Sequence, residues 1–85
     1  MQAQDIERLI EEQVPDARAM VRGDDGVHFE AVVISAAFAG KSLIQQHRLV
    51  YAALGERLVR EDIHALALKT FTPEAWQQQS QTQGR

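Results

Sequence analysis

The chain contains no cysteine. That excludes a disulfide framework, a thiol nucleophile and any metal site built from its own thiolates. Only two prolines and five glycines interrupt its 85 residues, and aromatics make up 6%. No run approaches the roughly 20 apolar residues of a spanning helix. The first residues, Met1 to Glu7, show neither a basic start nor an apolar stretch, so no signal peptide is read there, and a cytoplasmic location is the expectation. Basic excess is also missing. Nine Lys and Arg stand against twelve Asp and Glu, a net charge of −3, which argues against a generic nucleic-acid binder.

What remains is one small domain patterned over residues 1–76, followed by a Gln-rich polar tail over 77–85 that is expected to be flexible. Ile6, Leu9, Ile10 and Val14 recur at helical spacing, with Glu7, Glu11 and Glu12 off the stripe. Asp5 is the expected N-cap and Pro15 the stop. Ala17, Ala19 and Val21 alternate with Arg18, Met20 and Arg22 in a short strand. The cluster Gly23-Asp24-Asp25-Gly26 then suits a hairpin reversal. His28 to Ser35 is a β-branched run and reads as a strand. After a loop ending at Gly40, the positions Leu43, His47, Val50, Leu54 and Leu58 mark one face of a helix of about four turns. Ile63 to Thr70 alternates as a third strand, and Thr72-Pro73-Glu74 opens a last helix.

The order is αββαβα, an α+β fold. The hairpin makes the first two strands antiparallel, and the strand–helix–strand connection makes the second and third parallel with a right-handed crossover. A three-stranded mixed sheet with helices on one face follows.

Candidate chemistry is sparse. Gly40-Lys41-Ser42 lacks the earlier glycine of a phosphate loop, since Ser35 stands there. Gly23-Asp24-Asp25-Gly26 has the G-x-x-G form of a nucleic-acid clamp, but it is acidic and sits in a hairpin. Ser35 and Ser42 have no convincing base, and no nucleophile–base–orienter set exists, so an enzyme is not expected. The parallel pairing would start the strands of His28 and His64 at one end of the sheet, about 4.8 Å apart. Two imidazoles there make a partial iron or zinc site that a partner would complete. The ordinary alternatives are a hydrogen-bonded, partly buried His64 and a solvent-facing His28. His47 is expected to pack against the sheet. Lys41, Arg48 and Arg57 form a local basic group suited to an anionic partner, a carboxylate or a phosphate.

Phe38-Ala39-Gly40-Lys41-Ser42, Gln46-His47-Arg48-Leu49-Val50-Tyr51, Ile63-His64-Ala65-Leu66 and Thr70 to Trp76 occur in this order. Together they resemble the BolA family, whose signature includes R-H-R-x-V-Y, I/V-H-A-L and T-x-x-x-W. Gln46 departs from the family's first Arg and removes one charge. The absence of a cysteine in the hairpin is similar to the IbaG-like branch. The resemblance implies a fold like the second type of KH domain, in agreement with the order read above. It also implies a non-enzymatic partner of a monothiol glutaredoxin, sharing a [2Fe-2S] cluster in iron-sulfur trafficking or in iron or stress sensing. One iron would be held by the glutaredoxin cysteine and a glutathione thiol, and the other by nitrogen from this chain, with no cofactor when the chain is alone. His64 matches the motif histidine. His28 is the second candidate ligand, offset from the position some members use. Imidazole ligation would raise the cluster potential, as in Rieske centres, and make retention pH-sensitive. The alternative the family implies is a transcription regulator that contacts DNA through a helix-turn-helix-like segment, 38–51, with Lys41 and Arg48 on phosphates. Self-association in the absence of a partner stays open.

Overall fold

The computed structural model describes residues 2–23, 28–55 and 65–83. Within them the chain runs α1 (Ala3–Gln13), β1 (Ala17–Arg22), β2 (His28–Ser35), a 3-10 turn (Ala36–Phe38), α2 (Leu43–Leu54), β3 (Ala65–Phe71) and α3 (Pro73–Gln83). The sheet order is β1-β2-β3, with β1 and β2 antiparallel and β2 and β3 parallel. This is the expected α+β architecture with a mixed sheet, but the helices are not all on one face: Trp76 of α3 stacks 5.3 Å from Phe71, on the face opposite the core that α1 and α2 cover.

Each helix begins and ends for a local reason. In α1 the backbone N–H of Gln2 donates to the Asp5 carboxylate at 2.9 Å. The helix therefore starts at Ala3, two residues before the expected cap, and Asp5 reaches back from the first turn rather than capping it. Val14 closes it, with its N–H on the Ile10 carbonyl. The chain then reverses through Asp16 at φ 52°, a left-handed conformation that Asp tolerates better than most residues. In α2, Ser42 Oγ accepts from the Gln45 N–H at 3.2 Å while the Ser42 N–H donates to Gln45 Oε1 at 3.0 Å, a complete capping box. Gly55 ends α2 at φ 55°, its N–H on the Tyr51 carbonyl. In α3 the Ala75 N–H donates to Thr72 Oγ1. This helix continues through Gln77 to Gln83, so the flexible tail expected from 77 onward is helical to that point. Glutamine is a good helix former, and the Thr72 cap with Pro73 at the first position supplies the nucleus.

The core lies between one face of the sheet and two helices. Ile6, Ile10 and Val14 of α1 meet Ala19 and Val21 of β1, Phe29, Ala31 and Val33 of β2, Phe38, and Val50 and Leu54 of α2. Leu66 and Leu68 of β3 pack against this cluster. The buried stripe of α2 differs from the expected one. Val50 and Leu54 are buried and flanked by Leu49 and Ala53, but Leu43 is 64% exposed. Gln46 is turned inward instead. Its Nε2 donates to the carbonyls of Lys41 at 2.9 Å and Phe38 at 3.3 Å, and its Oε1 accepts from Thr70 Oγ1 at 2.6 Å. The helix also stops at Leu54, leaving Leu58 outside the described residues.

Candidate functional site

Strand register decides what the topology brings together. β2 and β3 run parallel with His28 opposite Ala65, Phe29 opposite Leu66 and Val33 opposite Thr70. Ala65 is the residue that follows His64 in sequence. The N-terminal end of β2 is thus beside the start of β3, and His28 stands there as an exposed side chain. Burial along β2 alternates, with His28 and Glu30 exposed and Phe29 and Ala31 buried. His28 therefore belongs to the face of Glu30, Ala67 and Lys69, opposite the face of Leu66 and Leu68. His64 and Arg57 lie outside the described residues.

Phe29 anchors this end of the sheet. It is buried, and its ring carbons leave no room for a side chain at position 23. A Cβ on Gly23 would fall 2.3 and 2.5 Å from Phe29 Cδ1 and Cε1. Gly23 is required by this close approach and not by a positive φ, which it does not have.

The other candidate contacts lie elsewhere. Thr70 hydrogen-bonds Gln46 and pairs with Val33, five residues along β2 from His28. At about 3.3 Å per residue, the start of α2 is displaced by roughly 17 Å along the strands from the His28 end. Lys41, whose N–H donates to the Phe38 carbonyl, is at that far end, and Lys41 and Arg48 are both exposed. A single ligand at His28 does not also reach Lys41. The capping box takes the Gln45 amide, so the start of α2 offers fewer free amides to an anion than expected. Segment 38–51 contains one α-helix, preceded by the three-residue 3-10 turn. His47 is half-buried. Ser35 is fully buried, donating from Oγ to the Pro15 carbonyl at 2.6 Å and accepting from the Ala37 N–H at 3.0 Å. Its hydroxyl is wholly engaged in structure, in keeping with its rejection as a nucleophile.

Sequence reasoning missed three features. Glu7 and Glu11, read only as lying off the apolar stripe of α1, accept the backbone N–H groups of Val21 at 2.8 Å and Ala19 at 3.0 Å, covering the outer edge of β1. Their spacing of four on one helix face was the available signal. Gln46, which lacks the charge of the family's first Arg, also serves as a clamp. The alternation of Arg18, Met20 and Arg22 in β1 marked a basic strand face whose partners only the register reveals.

Among the described residues no group of three or more His, Cys, Asp or Glu is placed to hold a metal ion. No helix among them is long and apolar enough to cross a membrane.

A model of the family described as BolA-like protein matches residues 8–75. The chain belongs to the BolA family. It is 44% identical over 61 residues to the DNA-binding transcriptional regulator BolA of Haemophilus influenzae, a match covering 72% of this chain and 57% of that protein. It is 48% identical over 54 residues to human BolA-like protein 1, covering 64% of this chain and 39% of the other. The chain thus spans less than two thirds of the length of these relatives. Among solved structures, a bolA protein homologue from Coxiella burnetii superposes with a TM-score of 0.79 at 44% identity, covering 91% of this chain and 97% of that one.

Proposed function

We propose that this BolA-family chain is a non-enzymatic adaptor that pairs with a monothiol glutaredoxin and shares a [2Fe-2S] cluster, with His64 as the primary ligand and His28 as the second. The observation that carries the reading is the β2–β3 register, which sets His28 beside Ala65, the residue after the motif histidine. Imidazole nitrogen is a competent iron ligand, and His28 is exposed to an incoming partner. The cluster, when bound, supplies electron-transfer or sensing chemistry. The chain's own part is to present nitrogen at one end of a rigid sheet, with Phe29 and Gly23 fixing the strand that carries it.

The test is visible circular dichroism of the chain titrated into a cluster-loaded monothiol glutaredoxin with glutathione, beside His64→Ala and His28→Ala. A new spectrum that saturates at equal stoichiometry and is lost in His64→Ala supports the reading. A spectrum unchanged by His64→Ala, with far-ultraviolet dichroism intact, refutes the ligand assignment. An unaltered His28→Ala spectrum removes the second ligand only.

The competing reading is DNA binding through segment 38–51. It is favoured by the exposure of Lys41 and Arg48 and by relatives named as DNA-binding transcriptional regulators. Binding to duplex DNA that falls steeply with salt supports it, and no retention at low salt removes it.

A further inference from the structure

Helices α1 and α2 cover one face of the sheet, and among the described residues the opposite face is exposed over most of its length. The registers arrange it in rows. Arg18, Ile34 and Phe71 form one row, Met20, Val32 and Lys69 the next, and Arg22, Glu30 and Ala67 the third. Coverage is confined to Ile34 and Phe71 of the first row. Ile34 is 7% exposed, and the Trp76 ring of α3 lies 5.3 Å from that of Phe71. Arg18 at the edge of this row is exposed, as are Met20, Arg22, Glu30, Ala67 and Lys69 beyond it, and Val32 is half-buried.

The charge on this face runs against the whole chain. Three cations, Arg18, Arg22 and Lys69, stand with one carboxylate, Glu30, in a protein of net charge −3. They surround an aliphatic centre. Arg18 and Arg22 are separated along β1 by about 14 Å, with Met20 between them, and Lys69 lies two strands, about 10 Å, from Met20. Met20 is 38% exposed, and methionine adapts its shape to what meets it.

We propose that this open face docks an acidic polypeptide segment, its carboxylates on Arg18, Arg22 and Lys69 and one apolar side chain on Met20 and Val32. Charge complementarity selects an anionic occupant. The aliphatic centre selects polypeptide over single-stranded nucleic acid, which uses exposed aromatic platforms, whereas the aromatic pair here is turned on itself at one end. A second copy is disfavoured, because Glu7 and Glu11 of the acidic helix are already engaged by Val21 and Ala19. The inference does not rest on a shared cluster.

The test is NMR amide-shift mapping of the full chain with three probes. These are a short synthetic peptide of glutamates around a central leucine, its glutamine counterpart, and a single-stranded oligothymidylate. The acidic peptide is expected to shift the amides of β1, Val32 and Lys69. Its affinity is expected to fall at least about tenfold in Arg18→Glu/Lys69→Glu and on raising ionic strength to about 0.3 M. Arg18→Gln/Lys69→Gln serves as the milder variant should charge reversal impair folding. No shift on this face, equal binding of the glutamine peptide, or stronger binding of the oligonucleotide overturns the proposal. So does a dimer in sedimentation analysis that these variants dissolve without any peptide.

Discussion

Gly23→Ala isolates the packing that holds the His28 end of the sheet. The added methyl carbon would lie 2.3 Å from Phe29 Cδ1, 2.5 Å from Cε1 and 3.1 Å from the His28 carbonyl oxygen. Carbon atoms pack best at roughly 3.5–4.0 Å, so the overlap with the ring exceeds about 1 Å. Phe29 is 2% exposed and pairs in register with Leu66, so the ring has no open direction in which to retreat. Overpacking of this kind costs about 1–3 kcal/mol, and the overlap points to the upper end. Backbone terms act the other way. Gly23 lacks a positive φ, and restricting the unfolded chain with alanine would alone stabilise by about 0.4–1 kcal/mol. The net expectation is a loss of about 2 kcal/mol, a fall in Tm on the order of 10 °C for a domain of this size. Thermal and urea unfolding followed by far-ultraviolet dichroism measure it. Phe29→Leu removes the ring carbons, so the double variant should be little worse than Phe29→Leu alone, a coupling of about 2 kcal/mol. An unchanged or raised Tm in Gly23→Ala, or full additivity in the double variant, refutes the argument.

Ser35→Ala strands the Pro15 carbonyl and the Ala37 amide that the hydroxyl now joins, and should cost about 1–3 kcal/mol by urea unfolding. Gln46→Ala releases three hydrogen bonds between α2, the preceding loop and Thr70. It should destabilise by about 2 kcal/mol, and Gln46→Arg, which restores the family's charge but not the acceptor for Thr70, should recover only part of that by the same assay. Glu7→Ala/Glu11→Ala uncovers the Val21 and Ala19 amides at the edge of β1 and should promote edge-to-edge association visible by gel filtration, which Glu7→Gln/Glu11→Gln, keeping an acceptor oxygen, should not.

Much of the fold was legible because it rests on periodicity. The limits of β1 follow from the alternation over 17–22, those of β2 from the β-branched run over 28–35, and the parallel pairing of β3 from the helix between the strands. What was illegible depends on which of two local solutions wins. Asp5 as a cap and Asp5 in the first turn reaching back are both sound chemistry, and Gln2 decides between them. The phase of α2 was misjudged because a polar residue, Gln46, occupies the inward position once its amide meets the carbonyls of Phe38 and Lys41. The Gln-rich end reads as tail by polarity, yet polarity says little about a helix already nucleated at Thr72. At the candidate site, the histidine motif was visible in the chain. The separation of His28 from Lys41 was not, because only the register and the Gln46–Thr70 bond place α2's first turn at the other end of β2.

That separation yields a comparison that distinguishes a ligand site at the β2–β3 start from one near α2. Gly23→Ala acts beside His28, through Phe29, without altering any candidate ligand. Ser35→Ala acts at the far end of the same strand, about 23 Å away at 3.3 Å per residue, with a destabilisation of similar size. If the chain shares a cluster with a glutaredoxin, as proposed, and holds it at the His28 end, Gly23→Ala should change the visible dichroism of that complex, and Ser35→Ala should leave it as in wild type at a temperature where both variants are folded. Stability loss by itself would move both spectra equally. A change confined to Ser35→Ala would shift the site toward the start of α2 and count against His28, whatever its own substitution did.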